Sequence, residues 1–215
     1  MEILYEDTAI TVAVKPPDLL SEQTPDKKGF ADLLAARNPR GYVGVIHRLD
    51  RGVGGMMVYA RTPQAAAKLS AAVQAHEMKK EYLAVVHGVP ANERGEWRDL
   101  LFHDRTKNKT FVVDRTRRGV KEAILSYKVL RSFMHDEFGQ LSLVRISLQT
   151  GRTHQIRVQF SSRGYPLVGD GKYGARDRAP IALFSHTLSF PHPVSGKRMT
   201  FSKDPEGEIW GIGLC

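Results

Sequence analysis

The sequence predicts an α+β domain with a largely antiparallel sheet. Short apolar or alternating stretches of strand length recur along the chain. Only two or three segments carry helical spacing, and polar, glycine- or proline-bearing turns separate the stretches. With 215 residues the chain can bury a sizeable core, in one domain or two closely fused lobes.

Residues 3–5 and 10–14 are apolar around the turn Glu6-Asp7-Thr8 and predict a β-hairpin. Phe30, Leu33 and Leu34 fall on one face of a short helix from Phe30 to Arg37. Gly55 to Ala60 has the apolar run of a buried strand. Thr62-Pro63 supplies an N-cap and a proline at the first helical position, opening an alanine-rich helix expected to reach about Lys79. Tyr82 to Val86 is a strand closed by His87-Gly88-Val89-Pro90, and strands are expected near 96–102, 110–113, 123–131 and 141–149. Leu183 to Phe190 and Met199 to Phe201 are strand-like around a proline-rich turn. Residues 153–160 are ambiguous. Gln155, Arg157 and Gln159 alternate with Ile156, Val158 and Phe160 as in a strand, yet Thr153 after Gly151 can cap a helix with Ile156 and Phe160 inward.

Composition narrows the function classes. Hydrophobic residues make up 41% and charged residues 26%, as in an ordinary globule, and no apolar run approaches the roughly 18–20 residues of a membrane span. The start, Met1-Glu2-Ile3-Leu4-Tyr5-Glu6-Asp7, lacks the features of a secretory signal, and the single cysteine, Cys215, allows no internal disulfide. A reducing cytoplasm is the expected compartment. The net charge of +9 and pI near 9.7 favour a polyanionic partner, above all nucleic acid. The excess concentrates in mid-chain, in Arg105-Thr106-Lys107-Asn108-Lys109 and Arg115-Thr116-Arg117-Arg118-Gly119-Val120-Lys121. A solvated hairpin explains such a run equally well. The eight histidines are scattered, and His76, His87 and His103 show no ligand spacing, so structural or surface roles are expected of them.

The segment of greatest chemical interest is His47-Arg48-Leu49-Asp50-Arg51-Gly52-Val53-Gly54-Gly55. An Asp between two arginines, after Val45-Ile46 and before Met56-Met57-Val58-Tyr59, belongs on a sharp connection at a sheet edge. The arginines favour its ionised form, and the glycines let a ligand's backbone come close. Such a carboxylate can act as a nucleophile or stabilise a developing cation, although a turn with a solvated salt bridge has the same local sequence.

His47-Arg48-Leu49-Asp50 resembles the catalytic signature of the RluA-type pseudouridine synthases. Three further segments follow in that family's order: Ile10-Thr11-Val12-Ala13-Val14-Lys15-Pro16-Pro17, Lys80-Glu81-Tyr82-Leu83-Ala84-Val85-Val86, and Thr150-Gly151-Arg152-Thr153-His154-Gln155-Ile156-Arg157. The likeness covers nearly the whole chain. It departs at Val53-Gly54, where the family commonly has Thr-Ser. The resemblance implies a pseudouridine synthase fold, with a mixed, mostly antiparallel central sheet, flanking helices and an RNA-binding cleft. It also implies a helix over 153–160, and a single catalytic domain spanning 1–215 without an N-terminal RNA-binding accessory domain.

The implied activity is isomerisation of uridine to pseudouridine in ribosomal or transfer RNA. Asp50 would act at the ribose, as nucleophile or as base, after the target nucleotide is flipped out. The resemblance makes Arg157 the partner that keeps Asp50 ionised, and Tyr82 the residue that meets the target base. Arg48 would enter the RNA stack where the nucleotide leaves. His47, Arg152 and His154 would contact RNA or order its loop, and Ile156 and Leu183 would line the uracil pocket. No cofactor or metal is called for, no membrane is involved, and a monomer is the simplest expectation. Two other classes stay open at this point: a catalytically silent RNA-binding domain, and a glycosylase or nuclease. The arginine-rich surroundings of Asp50 do not suit a two-metal nuclease.

Overall fold

The computed structural model describes residues 1–38 and 41–211, so Cys215 lies outside the described residues. In chain order the first elements are β1 (Glu2–Glu6), β2 (Ile10–Lys15), α1 (Phe30–Ala35), β3 (Gly44–Val45), β4 (Gly54–Ala60) and α2 (Pro63–Gln74). Then come β5 (Lys79–His87), β6 (Arg94–Asp104), β7 (Lys109–Val113), β8 (Val120–His135) and β9 (Gly139–Leu148). The last are α3 (Gln155–Ser161), β10 (Leu183–Pro191) and β11 (Arg198–Ser202), with short 3₁₀ turns at Gly171–Tyr173 and Glu208–Trp210. Many strands with few helices, mixed in direction, is the α+β class that the sequence predicts. Among the described residues no helix is long and apolar enough to cross a membrane.

The chain divides into two compact units. The first comprises Met1–Lys80 and Phe184–Pro205. Its opening hairpin forms because the Asp7 carboxylate accepts the N–H groups of Ala9 and Ile10, each at 2.8 Å, closing the turn between β1 and β2. β2 runs antiparallel to β4 from Ile10 opposite Ala60 to Lys15 opposite Gly55. The other edge of β4 is shared: β10 joins in parallel at Gly54 and Gly55, and β3 joins antiparallel at Tyr59 and Ala60. A strand paired on both edges and covered on both faces has no position for a polar residue, which is why Gly54–Ala60 is wholly buried and carries no charge. Ile10, Val12, Met56, Val58, Leu69, Leu188 and Phe190 form the core beneath α2.

The second unit comprises Glu81–Leu183 and Glu206–Cys215. Its strands run antiparallel in the order β5-β9-β8-β6-β7. The long β8 stays in register with β9 by a bulge between Val129 and Arg131. One face of this sheet holds α3, whose fully buried Phe160 meets Trp97 with ring centroids 4.6 Å apart and Tyr127 at 5.8 Å.

Two boundaries differ from expectation. α2 ends at Gln74, five residues before Lys79. His76 takes a left-handed conformation (φ 57°) just past the cap Ala75, while Glu77 N–H bonds to the Ala72 carbonyl at 2.9 Å and His76 N–H to Val73 at 3.2 Å. That pair of bonds is a Schellman stop, usually marked by glycine, and a histidine in its place hides the signal. The expected helix over 153–160 is present, but its N-cap is His154 (φ 53°), not Thr153, and it makes no side-chain capping bond. Its inward face is broader than Ile156 and Phe160, since Gln155, Arg157 and Gln159 are buried as well.

Because His76 bears the strain of a β-carbon in the left-handed region, His76→Gly should stabilise the protein by about 0.5–1 kcal/mol, net of glycine's entropy cost. Urea unfolding followed by circular dichroism checks the shift in midpoint.

Candidate active site

The Asp50 loop in the first unit is built from below. Lys15, at the end of β2, is fully buried, and its ammonium donates to the carbonyls of Pro16 (2.7 Å), Leu19 (2.7 Å) and Arg51 (3.3 Å). Three N–H donors thus meet three acceptors. Burial pulls the Lys15 pKa down to about 8, against the opposing pull of the Asp18 and Asp50 charges. Ser21 then clamps Leu49 on both sides: its hydroxyl donates to the Leu49 carbonyl at 2.9 Å and accepts the Leu49 N–H at 3.0 Å. Arg51 Nε donates to the Asp18 carbonyl at 3.2 Å, and Val53 N–H closes a tight turn onto the Asp50 carbonyl at 3.0 Å. Asp50 is therefore the half-buried first residue of a turn whose backbone is tied at Leu49, Arg51 and Val53.

The flanking residues take separate parts. His47 is buried and its Nε2 accepts the Val58 N–H at 3.2 Å, which assigns the ring proton to Nδ1. Burial, then the Lys80 charge, holds its pKa well below the usual histidine range, so the ring is neutral and anchors the loop to β4. Arg48 is largely exposed and pairs with Glu22 at 2.8 Å. At the departure, Val53 is buried at the turn's end, and a β-carbon on Gly54 would make only ordinary contacts with Phe184 and Pro17, at 3.4 Å each. A serine there is sterically compatible with this backbone.

In the second unit, Tyr82 is a buried residue of β5 opposite Ile146 on β9. Ile156 and Leu183 are buried, and Arg152 donates from Nε to the Glu122 carbonyl at 2.8 Å. Gln155 organises the approach to α3. Its side-chain oxygen accepts from Thr150 Oγ1 (2.8 Å) and Arg152 N–H (3.0 Å), and its amide donates to the Ile124 carbonyl (3.1 Å). Arg157 grips Asp170 through two parallel bonds, Nε to Oδ2 at 2.7 Å and Nη2 to Oδ1 at 2.8 Å, with Asp170 fully buried. The Arg157 guanidinium also lies over the Tyr173 ring, 5.1 Å from its centroid. The Tyr173 hydroxyl accepts the Thr110 N–H at 2.8 Å and bonds His154 Nδ1 at 2.9 Å, and burial raises its pKa.

Thus His154 and Arg157, three residues apart in sequence, converge on Tyr173. Ser21, Asp170 and Tyr173 were not singled out from the sequence. Asp170 was findable in principle, standing between Gly169 and Gly171 after the apolar pair Leu167-Val168, as Asp50 stands before Arg51-Gly52. Ser21 carries no such mark.

Replacing Lys15 with Met keeps the bulk and strands three carbonyls, so stability should fall by about 2–4 kcal/mol in denaturant titration. The wild type has a matching pH signature. With a folded pKa near 8 against an ordinary 10.5, the unfolded chain binds the extra proton between those values. The Lys15 contribution to stability therefore rises as pH climbs through that window. The gap between wild type and Lys15→Met should widen from pH 7 to pH 9.5. Asp170→Asn strips the buried Arg157 guanidinium of this carboxylate and should cost about 3–5 kcal/mol by the same assay.

These elements can be set beside known proteins. A model of the RNA pseudouridylate synthase family matches residues 9–162. Ribosomal large subunit pseudouridine synthase D of Pseudomonas aeruginosa is 35% identical over 239 residues, covering 100% of this chain and 71% of its own length. The protein of the same name from Vibrio vulnificus is 32% identical over 225 residues, covering 94% of this chain and 66% of its own length. The solved structure of human RNA pseudouridylate synthase domain containing 1 superposes with a TM-score of 0.80 at 24% identity, covering 97% of this chain and 85% of that one, which shows the shared fold. The chain belongs to the RNA pseudouridylate synthase family, the isomerases that turn uridine in RNA into pseudouridine.

Proposed function

We propose that this chain isomerises uridine in large-subunit ribosomal RNA, with Asp50 as the group that acts at the ribose. The observation that carries the reading is the tethered turn. Ser21 on Leu49, Lys15 on Arg51 and Val53 on Asp50 fix the backbone on both sides of one carboxylate, which is the preorganisation that a nucleophile or base requires. In the reaction the N1–C1′ bond of uridine breaks, the base turns, C5 bonds to C1′, the C5 hydrogen leaves as a proton and N1 takes one up. Asp50 either bonds C1′ and is later released, or removes a ribose proton to give a glycal that takes the proton back. Both routes balance without a cofactor.

Tyr82 and Arg157 are the other two groups assigned to catalysis, the phenol working on the base and the guanidinium contributing positive charge. Arg48, exposed beside the loop, is assigned to the RNA, as is the exposed Arg152. His47 and His154, buried against Val58 and Tyr173, are assigned to ordering the backbone around them, and Ile156 and Leu183 to the uracil. Support for an RNA partner comes from the hairpin joining β6 to β7 and the loop after it. Arg105, Lys107, Arg115, Arg117 and Arg118 are all exposed there, as is Lys121 at the start of β8, and Arg117 lies over the Phe102 ring at 4.7 Å. The names of the curated relatives support the ribosomal substrate. A monomer working in the cytoplasm completes the reading.

Asp50→Asn preserves shape and removes the charge. If the variant folds, its affinity for RNA should remain within about tenfold, because phosphate contacts supply most of the binding. Tritium release from RNA labelled at uridine C5 should fall below detection. Release at the wild-type rate would remove Asp50 from the chemistry.

A further inference from the structure

On the second unit's sheet, Arg94 of β6 stands opposite Lys128 of β8, and Lys128 stands opposite Arg145 of β9. Three cations therefore lie in one row across three strands, spanning two strand spacings, about 10 Å. In the adjacent row Tyr127 turns its ring to Phe160 of α3, so by strand alternation the cation row is on the opposite face. All three side chains are exposed.

Like charges placed directly opposite on antiparallel strands cost stability. The neighbouring carboxylates do little to offset that cost. Glu93 reaches Lys128 only at 4.0 Å, with both side chains well exposed. Glu96 is engaged by Gln149 at 2.8 Å and stands 4.0 Å from Arg98, while Glu81 accepts from Ser147 at 3.2 Å. Among the described residues neither Arg94 nor Arg145 has a carboxylate partner. The row borders a depression of about 340 Å³ whose lining includes Arg94, Glu96, Ser126, Lys128, Arg145 and Ser147, together with Gly95 and Tyr127 of the adjacent row. Two guanidinium forks, one ammonium and the Ser126 hydroxyl are the kind of donors that phosphate oxygens accept.

We propose that this cation row is a docking site for the phosphate backbone of the substrate RNA, distinct from the Asp50 loop and from the basic hairpin. The inference rests on RNA being the substrate class. The row holds RNA by charge and hydrogen bonding and reads no sequence. A continuous polyanion satisfies all three cations at once, and the repulsion within the row is relieved only when one is bound.

The test uses a transcribed large-subunit ribosomal RNA fragment and measures affinity over a range of salt. Arg94→Gln with Arg145→Gln removes two phosphate contacts, so the slope of log affinity against log salt should become shallower by roughly 1.4–1.8. Lys128→Glu should weaken binding at least tenfold. It should also raise the melting temperature, because it turns two repulsive cross-strand pairs into attractive ones. Lys68→Glu on the exposed side of α2 changes net charge by the same amount and should leave the slope unaltered. Slopes and affinities equal to wild type in both row variants would overturn the proposal. So would unchanged RNA binding alongside lost binding of poly-glutamate, which would assign the row to an acidic protein. Failure of the wild type itself to bind the fragment would sink the RNA reading, a result separable from failure of the row alone.

Discussion

The structure of the first unit turns on one buried ammonium. Lys15 lies at the end of a core strand with no exposed surface, and its charge is tolerated because three carbonyls converge on it. Two belong to the segment just after β2 and the third to the residue after Asp50. The contact joins parts of the chain 36 residues apart and gives the loop a position relative to the core. A buried cation is a poor source of net stability, but removing either side strands polar groups, so it specifies geometry more than it strengthens the fold.

The second unit uses the opposite arrangement for the same end. Its buried cation, Arg157, is met by a full carboxylate in two parallel bonds and by the face of Tyr173. Asp170 comes from the turn after β9 and α3, so the fork fixes that turn against the helix. Tyr173, gripped by Thr110 and His154, extends the network to the start of β7. A short helix whose N-cap sits in the left-handed region would be marginal alone; this network holds it in place.

How much of this was legible follows from which signals are local. The β1–β2 hairpin, the Thr62-Pro63 helix start and the buried run of β4 are written in adjacent residues, and all are found where expected. The end of α2 was missed because His76 performs a task that normally demands glycine. The nature of α3 could not be settled by period, since Gln155, Arg157 and Gln159 are polar yet buried, and their partners are Thr150 in the preceding loop, Asp170 thirteen residues on and Asp99 sixty residues back. Asp50 stood out through its charged neighbours. Its supports did not: Ser21 and Lys15 are ordinary residue types whose meaning arises only when the loops meet.

Gly55 follows the Asp50 loop directly, at φ 121°, where any β-carbon would collide with the backbone of Ser185 on the parallel strand β10. That close approach fixes where the loop must rejoin the sheet. Lys15 fixes the carbonyl of Arg51, and the Val53 bond fixes the width of the turn. Between Asp50 and Gly55 the chain has no slack, so one residue more or fewer would break a tether or drag β4 out of register. Exchanging side chains at Val53 or Gly54 leaves these tethers in place, whereas a change of length does not, so the loop is plastic in chemistry and rigid in span.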